Sequence, residues 1–571
     1  MKKIFILTIL VFICFSCTDY LDVKPKGVLS DENLTTPESA EGFVISAYSA
    51  LGSDHYTAPY SLWSYGNVRS DDAYKGGRDE ADIQAVHFFE TFIYTQPDMA
   101  GMEGGGDPDE MWFSLYLGLS RVNNALRTLN SLTDEQMPNR QMRIGEMRFL
   151  RGHTYFILKI LWKYIPFIDE TVPVNEYETI SNRALSNDEL WEKIAEDFSF
   201  AVAHLPQTQS EAGRPGKPAA QAYLAKTRLY QAYEQDEQNN VVTINPTRLE
   251  EVVELCNAVM ASGYRLQPDF GYNFLPGTFE NGVEALWSVQ YSIGDITPKG
   301  RLNWGDVLSA PMAGGFGCCG FHQPSQNLVN AYKTTSNGLP MLDDFANVNA
   351  TEFKGNQTFD PRLDHTVAMP GKPWKYVPDL IMEESWLRNK NVYGVYMSLK
   401  ENVAPTCDCL VNIDPFYGNS KNRIILRYAD VLLMKAEALI ELNRYSEALP
   451  LINAVRERAA NSTALLVDVN RQPVSNFKVG LYSSFSSKAE AIKALRFERR
   501  LEFAMEGSRF FDLVRWGIAD QVLNQYFEKE KNLRDYYSVA HFTKNRDEYC
   551  PIPQQQINWS KGLYVQNPGY N

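Results

Sequence analysis

The chain has 571 residues, with 70 acidic and 55 basic side chains and a formal net charge of −15. Nucleic acid is a poor partner for so acidic a protein, because its phosphates are held by lysine and arginine. The eight cysteines and seven histidines have no ligand spacing, so no structural metal is expected. Neutral ligands suit this composition better.

The first 16 residues predict an export signal. A basic start is followed by an apolar run from Ile4 to Ile13, which is too short to remain as a membrane span. A small residue then precedes Cys17, which resembles a bacterial lipoprotein cleavage site, so a lipid-anchored mature chain of residues 17–571 is expected. The bulky Phe15 departs from the usual form of that site, and cleavage by an ordinary signal peptidase is the alternative.

Helical periodicity fills two parts of the chain, around residues 107–261 and 427–525. A capping box at residues 186–189 marks the start of one helix. Residues 427–459 form the clearest unit, about 33 residues with two helices and small residues at their crossing, which resembles a tetratricopeptide repeat. We count four helical hairpins and predict a mainly α fold in which they stack into a scaffold.

The other stretches, residues 53–106 and 264–425, have a different character. They are rich in glycine, proline, asparagine, aspartate and aromatic residues, with few helical periods and some short strand-like runs. These features predict a loop-rich cap mounted on the helical scaffold. Binding sites are commonly placed on loops that a rigid scaffold holds.

A dense pattern of charges lies between Lys488 and Gly517. It predicts an ion-paired helical hairpin rather than a catalytic cluster, because helical side chains three and four residues apart commonly pair. Gly507 suits the left-handed position at the end of the first helix. The run Glu-Arg-Arg-Leu-Glu-Phe-Ala-Met-Glu-Gly at residues 498–507 continues into Phe-Asp-Leu-Val-Arg-Trp-Gly at 511–517.

This run resembles the C-terminal signature of the SusD/RagB family. Further segments that resemble the family are residues 145–156, 213–220, 324–332, 360–364 and 549–570. The resemblance implies a lipid-anchored protein of the outer membrane, exposed at the cell surface. Such a protein captures an oligosaccharide or polysaccharide and delivers it to a SusC-like TonB-dependent transporter. Peptide capture, as in the RagB branch, is the alternative, and a surface glycosidase is a more distant one.

The sequence offers little for catalysis or for a cofactor, and the protein is predicted not to be an enzyme. Adjacent acids at 71–72, 343–344 and 383–384 do not by themselves supply two carboxylates that face each other across a sugar. Gly315 to Gly320 matches a dinucleotide-binding fingerprint by letters alone, without the strand before it and the helix after it. Within this loop, Cys318 and Cys319 are adjacent, and a disulfide between them is a hypothesis.

Aromatic residues interleaved with short polar ones predict where a glycan would bind. Sugar rings present apolar faces to aromatic planes, while their hydroxyl groups need polar partners, so we expect an open hollow lined by aromatic rings. The expected ligand-binding residues are Trp63, Tyr65, Arg69, Asp72, Tyr74, Asn303, Trp304, Phe316, Trp374 and Tyr376. For each of them, ordinary packing is the alternative. The helical tryptophans are assigned to packing; these are Trp112, Trp162, Trp191 and Trp516.

Overall fold

The computed structural model describes residues 34–53, 55–95, 108–296, 301–313 and 315–570. The expected export signal and Cys17 lie outside these residues. Among the described residues, no helix combines the length and the apolar character needed to cross a bilayer.

The fold is mainly α-helical, as predicted. The α-helices are α1 (Pro37–Leu51), α2 (Gln84–Thr91), α3 (Pro108–Asn130), α4 (Arg140–Trp162), α5 (Asn187–His204), α6 (Lys217–Ala232), α7 (Pro246–Met260), α8 (Gln326–Ala331), α9 (Arg362–Thr366), α10 (Lys390–Tyr393), α11 (Tyr428–Glu441), α12 (Tyr445–Asn461), α13 (Lys488–Phe503), α14 (Arg509–Arg515), α15 (Ala519–Glu530) and α16 (Gln554–Trp559).

The strands are short. They are β1 (Ala73–Gly76), β2 (Tyr233–Gln235), β3 (Val241–Ile244), β4 (Ala285–Val289), β5 (Phe321–Pro324), β6 (Lys333–Thr334), β7 (Thr358–Phe359), β8 (Val367–Ala368), β9 (Pro373–Trp374), β10 (Val377–Ile381), β11 (Met397–Ser398), β12 (Leu410–Ile413), β13 (Phe416–Asn419) and β14 (Arg423–Arg427). They form two-stranded antiparallel pairs, such as β1 with β5 and β4 with β14.

The scaffold is a row of stacked helices. Each helix from α3 to α7 packs on the next, α7 packs on α11, and α11 contacts both α12 and α13. Close approach depends on small residues, since a side chain at Gly152 would lie about 2.9 Å from the Phe198 ring. The capping box expected at Ser186 is present, with its hydroxyl accepting from the Glu189 amide. The four helical tryptophans assigned to packing are all buried.

The cap joins the scaffold through buried charges. Glu502, on α13, accepts hydrogen bonds from Arg362 of the cap, from Arg427 at the end of β14 and from Arg458 on α12. All four side chains are buried. Burial alone would raise the pKa of Glu502, but the three guanidinium groups outweigh it and hold the pKa well below its usual range.

A second cluster of charges joins the first part of the cap to α13 and α14. Arg500 donates to the Asp72 carboxylate at 2.8 Å, and Arg509 donates to Asp71 at 2.9 Å. The ion-paired arrangement predicted for this region is therefore confirmed. Most of the partners come from distant parts of the chain and not from three or four residues away as predicted, although Arg515 does pair with Asp512 three residues earlier.

Gly66 lies where the cap touches the turn after α13. A methyl group at Gly66 would overlap the backbone carbonyl of Gly507, which has the positive φ of 81° expected for it. We expect Gly66→Ala to lower the free energy of unfolding by about 1–3 kcal/mol, as overpacking does. Thermal denaturation checks this, with Gly42→Ala as the matched control.

Gly42 lies on an exposed part of α1, and a methyl group there would meet no atom within 4 Å. Alanine in a helix interior is favoured over glycine, so the control variant should be as stable as the wild type or more so. Equal melting temperatures for the two variants would contradict the proposed clash.

Candidate functional site

Three half-buried rings from separate parts of the cap form what we call the aromatic face: Tyr56, Trp304 and Phe416. The centroids of Tyr56 and Phe416 are 5.5 Å apart, and those of Trp304 and Phe416 are 6.3 Å apart with nearly perpendicular planes. The exposed His55 ring lies beside this face, 6.3 Å from the Trp304 centroid. Two perpendicular rings make a corner rather than a flat plate.

A short 3-10 turn at Trp304–Ser309 positions Trp304 on this face. The amide nitrogen of Trp304 donates to the Leu302 carbonyl at 2.9 Å, while Asn303 donates from its side chain to Asp306 at 2.8 Å. The buried Trp63 indole donates to the Gly305 carbonyl at 3.1 Å and so holds the inner side of the turn. These hydrogen bonds place Asn303 in the interior and leave Trp304 at the surface.

Phe416 is held by a hairpin made of β12 and β13. The two strands are antiparallel, with Leu410 opposite Asn419 and Ile413 opposite Phe416. A disulfide between Cys407 and Cys409 lies just before the first strand. The hairpin therefore presents Phe416 on a constrained support, with Tyr417 half-buried next to it.

The loop with adjacent cysteines packs against this hairpin. Gly317 lies so close to the Tyr417 ring that a side chain would not fit there. Cys318 and Cys319 are joined as a disulfide, and the half-buried Cys318 contacts the same apolar cluster as the aromatic face. The strand Phe321–Pro324 follows this loop rather than preceding it, which does not match a dinucleotide-binding unit.

The two disulfides give a direct expectation for the native protein. Cys318, Cys319, Cys407 and Cys409 should resist alkylation before reduction and become labelled after it. Peptide mass spectrometry of alkylated protein tests this, and a control is provided by Cys256, which has a free thiol. Cys256 should be labelled only after unfolding because it is buried. Labelling of Cys318 and Cys319 in native, unreduced protein would contradict the bond.

The structure buries much of the surface expected at residues 63–74. Trp63, Tyr65 and Tyr74 are buried, and the Tyr74 hydroxyl donates to Glu530 at 2.8 Å. Arg69 donates to the Asp547 carbonyl at 2.7 Å, and Asp72 pairs with Arg500. The prediction of an open aromatic surface at residues 63–74 was wrong, because the single-turn π-helix at 63–68 and β1 pack inside the molecule.

The remaining expected residues are divided between the interior and the surface. Phe316 and Trp374 are buried together, with ring centroids 5.2 Å apart. Tyr376 is half-buried, with its hydroxyl 2.8 Å from His365 Nδ1. Asn303 is buried, and Trp304 alone of the ten lies on the aromatic face. A ligand-binding role for Trp304 stays a prediction.

The adjacent acids singled out in the sequence either bind arginines in the interior or are exposed to solvent. Asp71 and Asp72 bind arginines in the interior, while the exposed Asp343 contacts Lys493 and the exposed Glu384 contacts Lys390. Within the described residues, no group of three potential metal ligands comes together.

The fold and the aromatic face define a helical-repeat protein whose cap exposes an aromatic surface. The chain belongs to the SusD family, whose model matches residues 284–570. A second family model, described as starch-binding associating with outer membrane, matches residues 19–229.

Similar proteins cover nearly the whole chain. A SusD-like protein, P25, from Formosa agariphila is 24% identical, over 97% of this chain and 96% of its own. A SusD homologue from Bacteroides thetaiotaomicron has a TM-score of 0.69 at 20% identity, over 94% of this chain and 97% of its own. Surface glycan-binding protein A from the same organism, in complex with laminarihexaose, has a TM-score of 0.65 at 20% identity, over 93% and 100%.

Proposed function

We propose that this protein captures an oligosaccharide or polysaccharide reversibly on the aromatic face. The observation that carries the proposal is the corner formed by Trp304 and Phe416, with Tyr56 beside it. Membership of the SusD family supports it, as does the structural similarity to a glycan-binding protein in complex with laminarihexaose.

The chemistry of the face suits a sugar chain. An aromatic ring stacks on the apolar C–H face of a sugar, and a corner of two rings contacts one sugar unit from two sides. A polar group for sugar hydroxyls lies at its edge, because the exposed His55 ring is 6.3 Å from the Trp304 centroid. No covalent step is part of this function.

The test is affinity electrophoresis of the purified mature protein in gels that contain individual polysaccharides, with serum albumin as the non-binding control. Laminarin and starch are natural first members of the panel. Retardation by at least one polysaccharide is expected, with no release of reducing sugar. Binding of peptides together with no retardation by any polysaccharide would overturn the proposal in favour of peptide capture, and release of reducing sugar would indicate a glycosidase.

We also propose that the protein is anchored at the cell surface and delivers the glycan to a SusC-like TonB-dependent transporter. The family description of association with the outer membrane supports this placement. Several acyl chains on Cys17 would hold the protein stably, since a single chain anchors only marginally.

We therefore expect Cys17→Ala to move the protein from the membrane fraction to the soluble periplasmic fraction. Cys14→Ala, three residues earlier, is the matched control and should leave the protein in the membrane fraction. Fractionation followed by immunoblotting measures both. Membrane retention of the Cys17→Ala variant would place the anchor elsewhere.

A further inference from the structure

Three separate segments of the chain meet at the C-terminal end of α4. Lys163 directly follows that helix, Asn239 lies in the turn between β2 and β3, and Glu548 lies in the C-terminal stretch. All three side chains are buried. The Lys163 ammonium donates to Asn239 Oδ1 at 2.8 Å, and Asn239 Nδ2 donates to the Glu548 carboxylate at 3.4 Å. An amine, a carboxamide and a carboxyl group are therefore in contact in that order.

The backbone holds these three groups in place. The turn that carries Asn239 is fixed by Asp236, whose carboxylate accepts hydrogen bonds from two backbone amides of the turn, each at 2.9 Å. The Cys550 amide donates to the Leu161 carbonyl at 2.8 Å, so the C-terminal stretch lies along the end of α4. Lys163 itself has a φ of 61° and a ψ of −57°, which a residue with a side chain rarely adopts. Strained backbone of this kind is concentrated at functional sites.

The surroundings favour the uncharged forms of both ionisable groups. Burial lowers the pKa of Lys163 to about 8, and the nearby carboxylates of Glu237, Asp236 and Glu548 offset burial only in part. Burial also raises the pKa of Glu548. The Lys163 ammonium donates to two neutral oxygens, the Asp236 carbonyl at 2.6 Å and Asn239 Oδ1. A desolvated lysine that loses its proton is a nucleophile, and a carboxyl group beside the amide can carry protons.

We propose that Lys163 and Asn239 join in an intramolecular isopeptide bond, with Glu548 as the proton carrier. Once Lys163 has lost its extra proton to water, its Nζ lone pair attacks Cγ of Asn239. The Nζ–Cγ bond forms and the Cγ–Nδ2 bond breaks. Glu548 gives a proton to the departing Nδ2 and takes one from the attacking Nζ. The carboxyl group is thus unchanged, one ammonia molecule is released, and no oxidant or cofactor is consumed.

A pocket beside the three groups gives the ammonia a route to solvent. Asn239 and Glu548 both line this pocket, which has a volume of about 330 Å³ and also includes the exposed Lys544. The bond closes a covalent loop that contains α5 and α6. A cross-link of this kind restricts the unfolded chain and so stabilises the folded scaffold. The inference does not depend on the proposed capture of a glycan.

A second lysine–asparagine pair provides an internal control. The buried Lys159, one helical turn before Lys163, donates to the side-chain oxygen of Asn187. Within the part of the chain that the structure describes, no carboxylate accepts a hydrogen bond from the Asn187 side chain. This pair therefore has the amine and the carboxamide in contact without the proton carrier, and it should stay unlinked.

The test is tryptic peptide mapping of the full-length mature protein after reduction and alkylation. Trypsin does not cleave after an acylated lysine, so we expect a branched peptide in which residues 160–183 are joined to residues 229–248. Its mass should equal the sum of the two peptides less one ammonia molecule, and fragment spectra should place the link at Asn239. Cleavage after Lys163, with the two peptides recovered unlinked, would overturn the proposal. A link between Lys159 and Asn187 would contradict the requirement for the acid.

Variants assign the roles of the individual groups. Lys163→Met should abolish the link, and Glu548→Gln should lower the linked fraction by at least about tenfold after equal time, because a positioned proton carrier commonly contributes about 10²–10⁴-fold. Asn240→Ala is the matched control and should keep the link. Melting curves verify that each variant is folded. A linked fraction in folded Glu548→Gln equal to that of the wild type, or loss of the link in folded Asn240→Ala, would overturn the assignment.

Discussion

Glu502→Gln is expected to lower the free energy of unfolding by about 3 kcal/mol or more. The substitution keeps the size of the side chain but removes the negative charge on which Arg362, Arg427 and Arg458 converge. Removing one member of a buried ion pair commonly costs about 3–5 kcal/mol, because the remaining charge stays buried without its partner. Thermal denaturation and urea denaturation, both followed by tryptophan fluorescence, measure the loss.

Glu528→Gln is the matched control. Glu528 pairs with Lys531 at 2.6 Å, but its side chain is 72% exposed. Exposed ion pairs contribute little, so this variant should stay within about 1 kcal/mol of the wild type. A Glu502→Gln protein with the same denaturation midpoint as Glu528→Gln would show that the junction does not depend on this charge.

Trp304→Ala is expected to weaken binding of a polysaccharide by about tenfold or more. The substitution removes one side of the aromatic corner, and a tenfold change corresponds to about 1.4 kcal/mol, which is in the range of aromatic stacking contributions. Because Trp304 is half-buried at the surface, the fold should persist. Affinity electrophoresis gives the dissociation constant from the dependence of migration on polysaccharide concentration.

Two companion variants sharpen this experiment. Trp304→Phe retains a ring and should recover part of the affinity. Trp559→Ala removes a tryptophan that is 62% exposed on α16 and is not part of the aromatic face, and should bind as the wild type does. If Trp304→Ala binds with wild-type affinity, Trp304 has no role in capture. If Trp559→Ala loses affinity instead, the glycan binds at a different surface.

The helical scaffold could be predicted from sequence because the signals that form each helix lie within or next to that helix. Apolar residues at three- and four-residue steps, the capping box at Ser186 and the left-handed Gly507 each act within one or two helical turns. The charges on α13 were also recognised as structural. Their partners could not be identified, because Asp71 and Asp72 lie more than 400 residues earlier and meet Arg500 only in the folded protein.

The candidate site was harder to predict. Interleaved aromatic and polar residues look alike whether they face solvent or satisfy one another inside, as the buried Tyr74 and its partner Glu530 show. Tyr56 and Phe416 were missed. The available signal for Phe416 was the nearby pair Cys407 and Cys409, whose disulfide lies just before the hairpin that carries Phe416 and Tyr417.

The charges buried where cap and scaffold meet also restrict how the molecule can move. A motion that opened the cap away from the scaffold would separate Glu502 from Arg362 and Asp72 from Arg500. Each separation would leave an uncompensated charge buried away from water. Glu502 also holds Arg427 and Arg458, so several such contacts would have to break together. The cap and the scaffold therefore have no low-energy hinge between them, and we expect them to move together as one rigid body.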